Sequence, residues 1–149
     1  MSRRTDGGAV PEGAVEEEVE IEVRYAETDA QGVVHHSNYI VWFEVARTAL
    51  CRQTGFSYAE IEEMGFNLVV TGAELRYRQG ARYGDPIRVI CRLERFQSRG
   101  LRFVYEVLRR GEVLATGATD HIWVARATGR PTRLPRDLDD GFRRIAGLR

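Results

Sequence analysis

The pattern of apolar and polar residues changes along the chain from a two-residue repeat to a helical repeat and back. Over residues 19–25 every second residue is Val, Ile or Tyr, and the residues between them are Glu or Arg. This alternation predicts a half-buried strand. A loop or short turn over 26–36 follows. From about Asn38 to Thr54 the pattern is helical, with Ser37 or Asn38 as the N-cap and Gly55 as the stop. The first two turns of this helix are apolar almost all the way round, so we expect it to be buried on most sides.

The second half of the chain is rich in predicted strands. A short helix over 57–64 ends at Gly65, and apolar residues alternate or cluster over 66–78, 87–94, 101–107 and 113–126. Arg110-Gly111 marks a tight hairpin, and a weak helix is predicted over 137–148. Short turns between strands force antiparallel pairing. The predicted fold class is therefore α+β, with one antiparallel sheet of about five strands wrapped round one long central helix.

Composition limits the kinds of protein that this chain could be. Its 149 residues fit a single domain, with 1–16 predicted as a disordered tail and 17–149 as the folded unit. Basic and acidic residues number 22 each, so the net charge of zero predicts neither a nucleic-acid nor a membrane surface. Cys51 and Cys91 lack metal-ligand spacing and are expected to be reduced, buried thiols in a cytoplasmic protein.

Candidate chemistry lies where the first strand meets the long helix. Glu27 and Asp29 are followed by Gly32 and then by the helix start beside His35 and His36. The first N–H groups of a helix have no partner within the helix and lie at the positive end of its dipole. A carboxylate next to such a group has the minimum chemistry for attack on a polarised carbonyl.

This junction resembles a known family. R-Y-A-E-T-D at Arg24–Asp29, G-V-V-H-H at Gly32–His36, W-F-E-V-A-R at Trp42–Arg47 and A-R-Y-G-D at Ala81–Asp85 are similar to motifs of the hotdog-fold acyl-CoA thioesterases. The group that it resembles contains the 4-hydroxybenzoyl-CoA thioesterases and the Tol-Pal-associated thioesterase. Two positions depart from the family pattern. Position 35 often carries an aromatic hydroxyl in the family but is His35 in this chain, and position 31 often carries a small residue but is Gln31 here.

The resemblance implies a hotdog fold and a hydrolase that splits a small acyl-CoA into free acid and CoA. It assigns the catalytic carboxylate to Asp29 and the carbonyl-binding backbone N–H to His36. It implies no cofactor, since CoA is part of the substrate, and a homodimer or homotetramer with sites between subunits. The residues expected to bind substrate, some of them from the facing subunit, are Gly32, Val33, His35, Asn38, Glu44, Val70 and Thr71.

Several alternatives remain open at this stage. Asp29 could attack the thioester directly or deprotonate water. Glu44 could pair with Arg47 three residues on, or act as a second acid, and Glu27 could be a solvated or a structural acid. A metal site is not expected, because adjacent His35 and His36 diverge and only one other histidine exists. The alternative functions are an acyl-thioester hydratase or dehydratase on the same fold, and a non-catalytic acyl-CoA-binding module.

Overall fold

The computed structural model describes residues 10–97 and 99–148. Within them lies one sheet of five antiparallel strands in the order β1-β3-β4-β5-β2, together with three helices and a short 3-10 turn over Tyr25–Glu27. The predicted α+β class is confirmed. The elements are β1 Glu17–Glu22, α1 Ser37–Arg52, α2 Tyr58–Glu63, β2 Phe66–Tyr77, β3 Pro86–Phe96, β4 Gly100–Arg109, β5 Glu112–Ala125 and α3 Arg136–Ile145.

Turn residues and strand order determine which parts of the chain meet. Arg110 and Gly111 both have positive φ, at 49° and 81°, as the two-residue turn between β4 and β5 requires. Strand β2 does not pair with the next strand in sequence but with β5, on the far side of the sheet. The two edges of the sheet are therefore β1 and β2, and both precede the central strands in the chain.

Helix α1 packs one side against the inner face of the sheet. The ring of Phe43 stacks on Tyr105 of β4, with centroids 4.2 Å apart and planes at 5°. A Cβ at Gly117 of β5 would lie 2.4 Å from the Phe43 ring, so only glycine allows this approach. At the other end of the core, Phe142 of α3 contacts Phe96 and Trp123. The contacts of Phe43 set how closely α1 approaches the sheet.

The structure corrects two predictions about exposure and extent. The first strand ends at Glu22, and Tyr25 lies in the 3-10 turn with 76% of its surface exposed. Helix α1 is not covered on most sides, since Val41 and Val45 are about half exposed. The reason is that the sheet covers only one side of the helix and no other element of the described chain covers the opposite side.

The predicted disordered tail covers residues 1–16, of which 1–9 lie outside the described residues. The remaining part runs beside the last helix, where the N–H of Val15 donates to the carbonyl of Ile145 at 2.8 Å.

Candidate active site

Asp29 lies in a tight turn that folds the chain back on itself before α1. Its N–H donates to the carbonyl of Val33 (2.9 Å), and its own carbonyl accepts the N–H of Gly32 (3.0 Å). Gly32 has a φ of 80°, in the left-handed region that glycine adopts without strain. One carboxylate oxygen of Asp29 accepts the N–H of Gln31 at 2.8 Å. The other oxygen has no hydrogen-bond donor within 10–97 and 99–148, and the residue is only half-buried, so that oxygen can face a substrate.

Glu27 ties this turn to α1. Its buried carboxylate accepts the N–H of Arg24 at 2.7 Å and the indole N–H of Trp42 at 3.0 Å. Its backbone carbonyl accepts the N–H of His35 (2.8 Å) and the side-chain amide of Asn38 (3.0 Å). Of the two alternatives for Glu27, the structural one is confirmed and the solvated one is wrong, because both carboxylate oxygens have partners inside the protein.

The start of α1 differs from the predicted cap. The N-cap is His36, and neither Ser37 nor Asn38 caps the helix through its side-chain oxygen. Instead, Nδ1 of His35 accepts the N–H of Ser37 at 3.3 Å and lies 2.8 Å from its hydroxyl. The N–H groups of Asn38 and Tyr39 donate to the carbonyls of His35 and His36. Among the residues that the structure describes, no acceptor takes the N–H of His36. This is the group to which the family resemblance assigns carbonyl binding.

A cavity of about 220 Å³ opens beside His36, between the start of α1 and the end of β2. The hydroxyl of Tyr77 donates to the carbonyl of His36 at 3.3 Å, and the hydroxyl of Tyr39 accepts the N–H of Ala81 at 3.2 Å. Burial raises the pKa of both tyrosines, so they remain neutral at physiological pH. The residues that line the cavity include Val33, Val34, His36, Tyr39, Tyr77 and Gly80.

Sequence reasoning missed Tyr39 and Tyr77 as parts of this site. Tyr39 lies in the apolar first turns of the predicted helix and Tyr77 in the predicted strand over 66–78, so neither residue stands out by its type or spacing. A signal was available in the A-R-Y-G-D motif, which begins at Ala81, the residue bound to Tyr39. The close approach of Gly80 to Val33, where a Cβ would lie 2.7 Å from Cγ1, depends on the fold and has no sequence signal.

Of the predicted site residues, only Val33 and His36 line this cavity. Asp29, Gly32, His35 and Asn38 belong to the adjoining turn and helix start and do not line it.

Glu44 is on the exposed side of α1, and of its two alternatives the ion pair with Arg47 is wrong. Arg47 points into the core, where it donates to the hydroxyl of Tyr105 at 3.1 Å. Val70 and Thr71 lie on edge strand β2, at an irregularity in its pairing with β5, and neither lines the cavity beside His36.

The other sequence predictions concern metals, thiols and membranes. Cys51 and Cys91 are free and buried, as predicted, and burial raises the pKa of Cys51 to about 12. Within residues 10–97 and 99–148, no three His, Cys, Asp or Glu side chains come together in a way that could hold a metal ion. No helix in the same residues has the length and apolar character needed to cross a bilayer.

Comparison with known proteins identifies the class to which this fold and site belong. Residues 23–142 match the Thioesterase-like superfamily, and the chain belongs to that family. It is 34% identical to the putative acyl-CoA thioesterase YneP of Bacillus subtilis, over 81% of this chain and 88% of the relative. This membership confirms the predicted enzyme class, a thioester hydrolase.

Two solved structures are similar along most of the chain. The DHNA-CoA thioesterase from Staphylococcus aureus has a TM-score of 0.83 and 35% identity, covering 87% of this chain and 90% of its own. The hypothetical protein TT1821 from Thermus thermophilus has a TM-score of 0.81 and 39% identity, covering 85% and 96%.

Proposed function

We propose that this chain is an acyl-CoA thioesterase that hydrolyses a small acyl-CoA to free acid and CoA. The observation that carries this proposal is the N–H of His36, which has no acceptor within the described residues and lies at the start of α1 beside a cavity. The relatives named acyl-CoA and DHNA-CoA thioesterases support the choice of substrate class. The motif at Arg24–Asp29 favours the group of 4-hydroxybenzoyl-CoA and Tol-Pal-associated thioesterases within the family.

In this proposal the N–H of His36 binds the thioester oxygen. As the carbonyl carbon becomes tetrahedral, negative charge develops on that oxygen, and the dipole of α1 and the N–H stabilise it. In enzymes where such a donor has been removed, the loss cost roughly 2.7–4 kcal/mol in the transition state. Neither the imidazole of His36 nor a metal is needed for this step.

Asp29 supplies the second part of the chemistry through its free carboxylate oxygen. In one route this oxygen attacks the thioester carbon, CoA leaves as the thiolate, and water then hydrolyses the resulting mixed anhydride. In the other route Asp29 takes a proton from water, and the hydroxide formed attacks the same carbon before the thiolate leaves. Both routes use only water and the acyl-CoA, so no cofactor takes part.

We further propose that two copies of the chain complete the site. Strand β2 is an unpaired sheet edge, and the exposed side of α1 carries Val41, Glu44 and Val45. An open edge and a partly apolar exposed helix face favour pairing with a second copy, as a homodimer or a homotetramer. In that assembly α1 becomes the enclosed central helix of a hotdog fold, and Val70, Thr71 and Glu44 can reach the substrate of the facing subunit. The two free cysteines favour the cytoplasm.

An assay of thiol release from a panel of acyl-CoA substrates tests the proposed function. We expect free CoA from the wild type and a loss of about 10²–10⁴-fold in Asp29→Asn. The asparagine retains an oxygen for the N–H of Gln31, so the turn should persist, and Asp140→Asn on α3 is the matched control. A change in the enoyl absorbance without thiol release would identify a hydratase instead. Binding of acyl-CoA without any reaction would identify a binding module.

A further inference from the structure

We propose that Tyr77 limits the size of the acyl group by forming a fixed wall of the cavity beside His36. This inference rests on the proposed thioesterase function. It assigns to that site a substrate class of short-chain or single-ring acyl groups, and it names the side chain that excludes longer ones.

The first step is the position of the cavity. It borders His36, the residue whose N–H is proposed to hold the thioester oxygen, and the proposal places the acyl group of the substrate in it. The lining is mainly apolar, with Val33, Val34 and the ring of Tyr39. Its volume of about 220 Å³ is smaller than the roughly 300–1,000 Å³ of pockets that hold drug-sized ligands. Such a space fits a short chain or one ring.

The second step is that Tyr77 is held in place at two points. Its hydroxyl donates to the carbonyl of His36 at 3.3 Å. Its ring packs edge-to-face on Tyr39, with centroids 5.2 Å apart and planes at 81°. Tyr39 is itself only 1% exposed and is bonded to the N–H of Ala81. The wall therefore does not move aside without loss of both contacts.

The third step concerns the side of the Tyr77 ring that faces away from the cavity. Within one chain Tyr77 is 48% exposed, so one side of its ring faces the cavity and much of the remainder lies open at the end of β2, the edge proposed to meet a second copy. Truncation to alanine would join the cavity to the space at this edge instead of leaving a closed void. A longer acyl chain could then extend through the opening along the remaining apolar lining.

The test is the dependence of kcat/KM on acyl length for straight-chain acyl-CoA substrates from acetyl to dodecanoyl, with benzoyl-CoA included. For the wild type we expect kcat/KM to fall beyond a short chain. For Tyr77→Ala we expect the optimum to move to longer chains, by about four-fold for each methylene that gains apolar contact. Tyr77→Phe keeps the ring and should retain the length profile of the wild type. Tyr83→Ala is the matched control, because Tyr83 is an exposed tyrosine that does not line the cavity.

Three results would overturn the inference while leaving the thioesterase function intact. They are an unchanged length profile in Tyr77→Ala, an equal loss for all lengths in that variant, and the same shift of profile in Tyr77→Phe. If Tyr77→Ala does not fold, Tyr77→Leu provides the same comparison with a smaller opening. Absence of thiol release from every acyl-CoA with the wild type would instead overturn the proposed function, and this inference with it.

Discussion

The two edges of the sheet differ in length and in the side chains that they carry. Strand β1 has 6 residues, and four of them are glutamates, at positions 17, 18, 20 and 22. Strand β2 has 12 residues, and Val69 and Val70 are 40% and 51% exposed. A free edge offers unpaired N–H and carbonyl groups to any other strand, and charged side chains on a short strand discourage such pairing. Charged side chains therefore protect β1 from association, whereas β2 is an open edge, as the proposed pairing with a second copy requires.

The largest effect is expected from a charge placed on the open edge. Val70→Asp would put an unpaired carboxylate into the proposed interface, at a cost of about 3 kcal/mol or more. The dissociation constant of the proposed dimer should rise by at least about 100-fold, with loss of activity because the proposed site needs both copies. Light scattering after size exclusion and the thiol-release assay check both effects. Leu148→Asp, which changes another exposed apolar residue, is the control. Unchanged mass and activity in Val70→Asp would show that β2 is not the interface.

The next largest effect is expected when low pH destabilises β5, the strand that pairs with the open edge strand β2. His121 of β5 pairs with Val70, and burial, followed by the charge of Arg47, lowers the pKa of His121 to about 4 from the usual 6.5. Between these values the unfolded chain binds more protons than the folded one, so stability is full above pH 6.5 and falls as the pH drops towards 4. The full loss is about 3 kcal/mol.

Urea unfolding at pH 7 and pH 4.5 measures this loss. In His121→Gln the change between the two pH values should shrink, since the variant has no imidazole to protonate. An identical pH dependence in wild type and variant would assign the acid sensitivity to other groups.

A smaller effect is expected from removal of the charges on the protected edge. Replacement of Glu18, Glu20 and Glu22 by valine should leave the fold intact and create a second edge strand that other chains can pair with. Scattering should then increase with protein concentration beyond the wild-type assembly. A variant with valine at Glu12, Glu62 and Glu63 loses the same charge away from the edge. Equal scattering by both variants would mean that net charge, and not edge protection, determines solubility.

The smallest effect is expected from removal of the ion pairs that Arg88 of β3 forms with glutamates of β1. Arg88 lies 3.0 Å from Glu20 and 4.0 Å from Glu18, and all three side chains are largely exposed. Exposed pairs of this kind contribute roughly 0–1 kcal/mol, and salt weakens them. Arg88→Ala should therefore lower the free energy of unfolding in urea by less than about 1 kcal/mol. A loss of 2 kcal/mol or more would show that these charges support the strand as well as protect it.

Much of the fold could be predicted because the relevant signals are local. Periodicity located the strands and helices, and Gly55, Gly65 and Arg110-Gly111 marked where elements end. The side of α1 that faces the core could not be predicted, since apolar residues surround its first turns. The ion pair considered between Glu44 and Arg47 was wrong for the same reason. A spacing of three residues does not reveal that Arg47 points towards the sheet.

The candidate site was predictable only where it comes from one stretch of chain. Asp29, Gly32 and His36 lie within a few residues of one another, so their motif could be recognised. The cavity joins residues near 33–39 to residues near 77–80, and this contact depends on the position of β2 at the far edge of the sheet. The cap of α1 escaped prediction because the ring nitrogen of His35 replaces the usual hydroxyl or amide oxygen.

The hydrogen bond between Glu27 and Trp42 has a consequence for how the substrate range of such an enzyme could change in evolution. Because that hydrogen bond and the contacts to His35 and Asn38 join the turn to the helix, they hold Asp29 and the N–H of His36 in one arrangement. Under the proposed function, substitutions at the cavity wall or on a second copy of the chain can then change which acid is released without disturbing the placement of Asp29 against the N–H of His36. Under that proposal, selectivity and chemistry are separable traits, open to independent evolution or redesign.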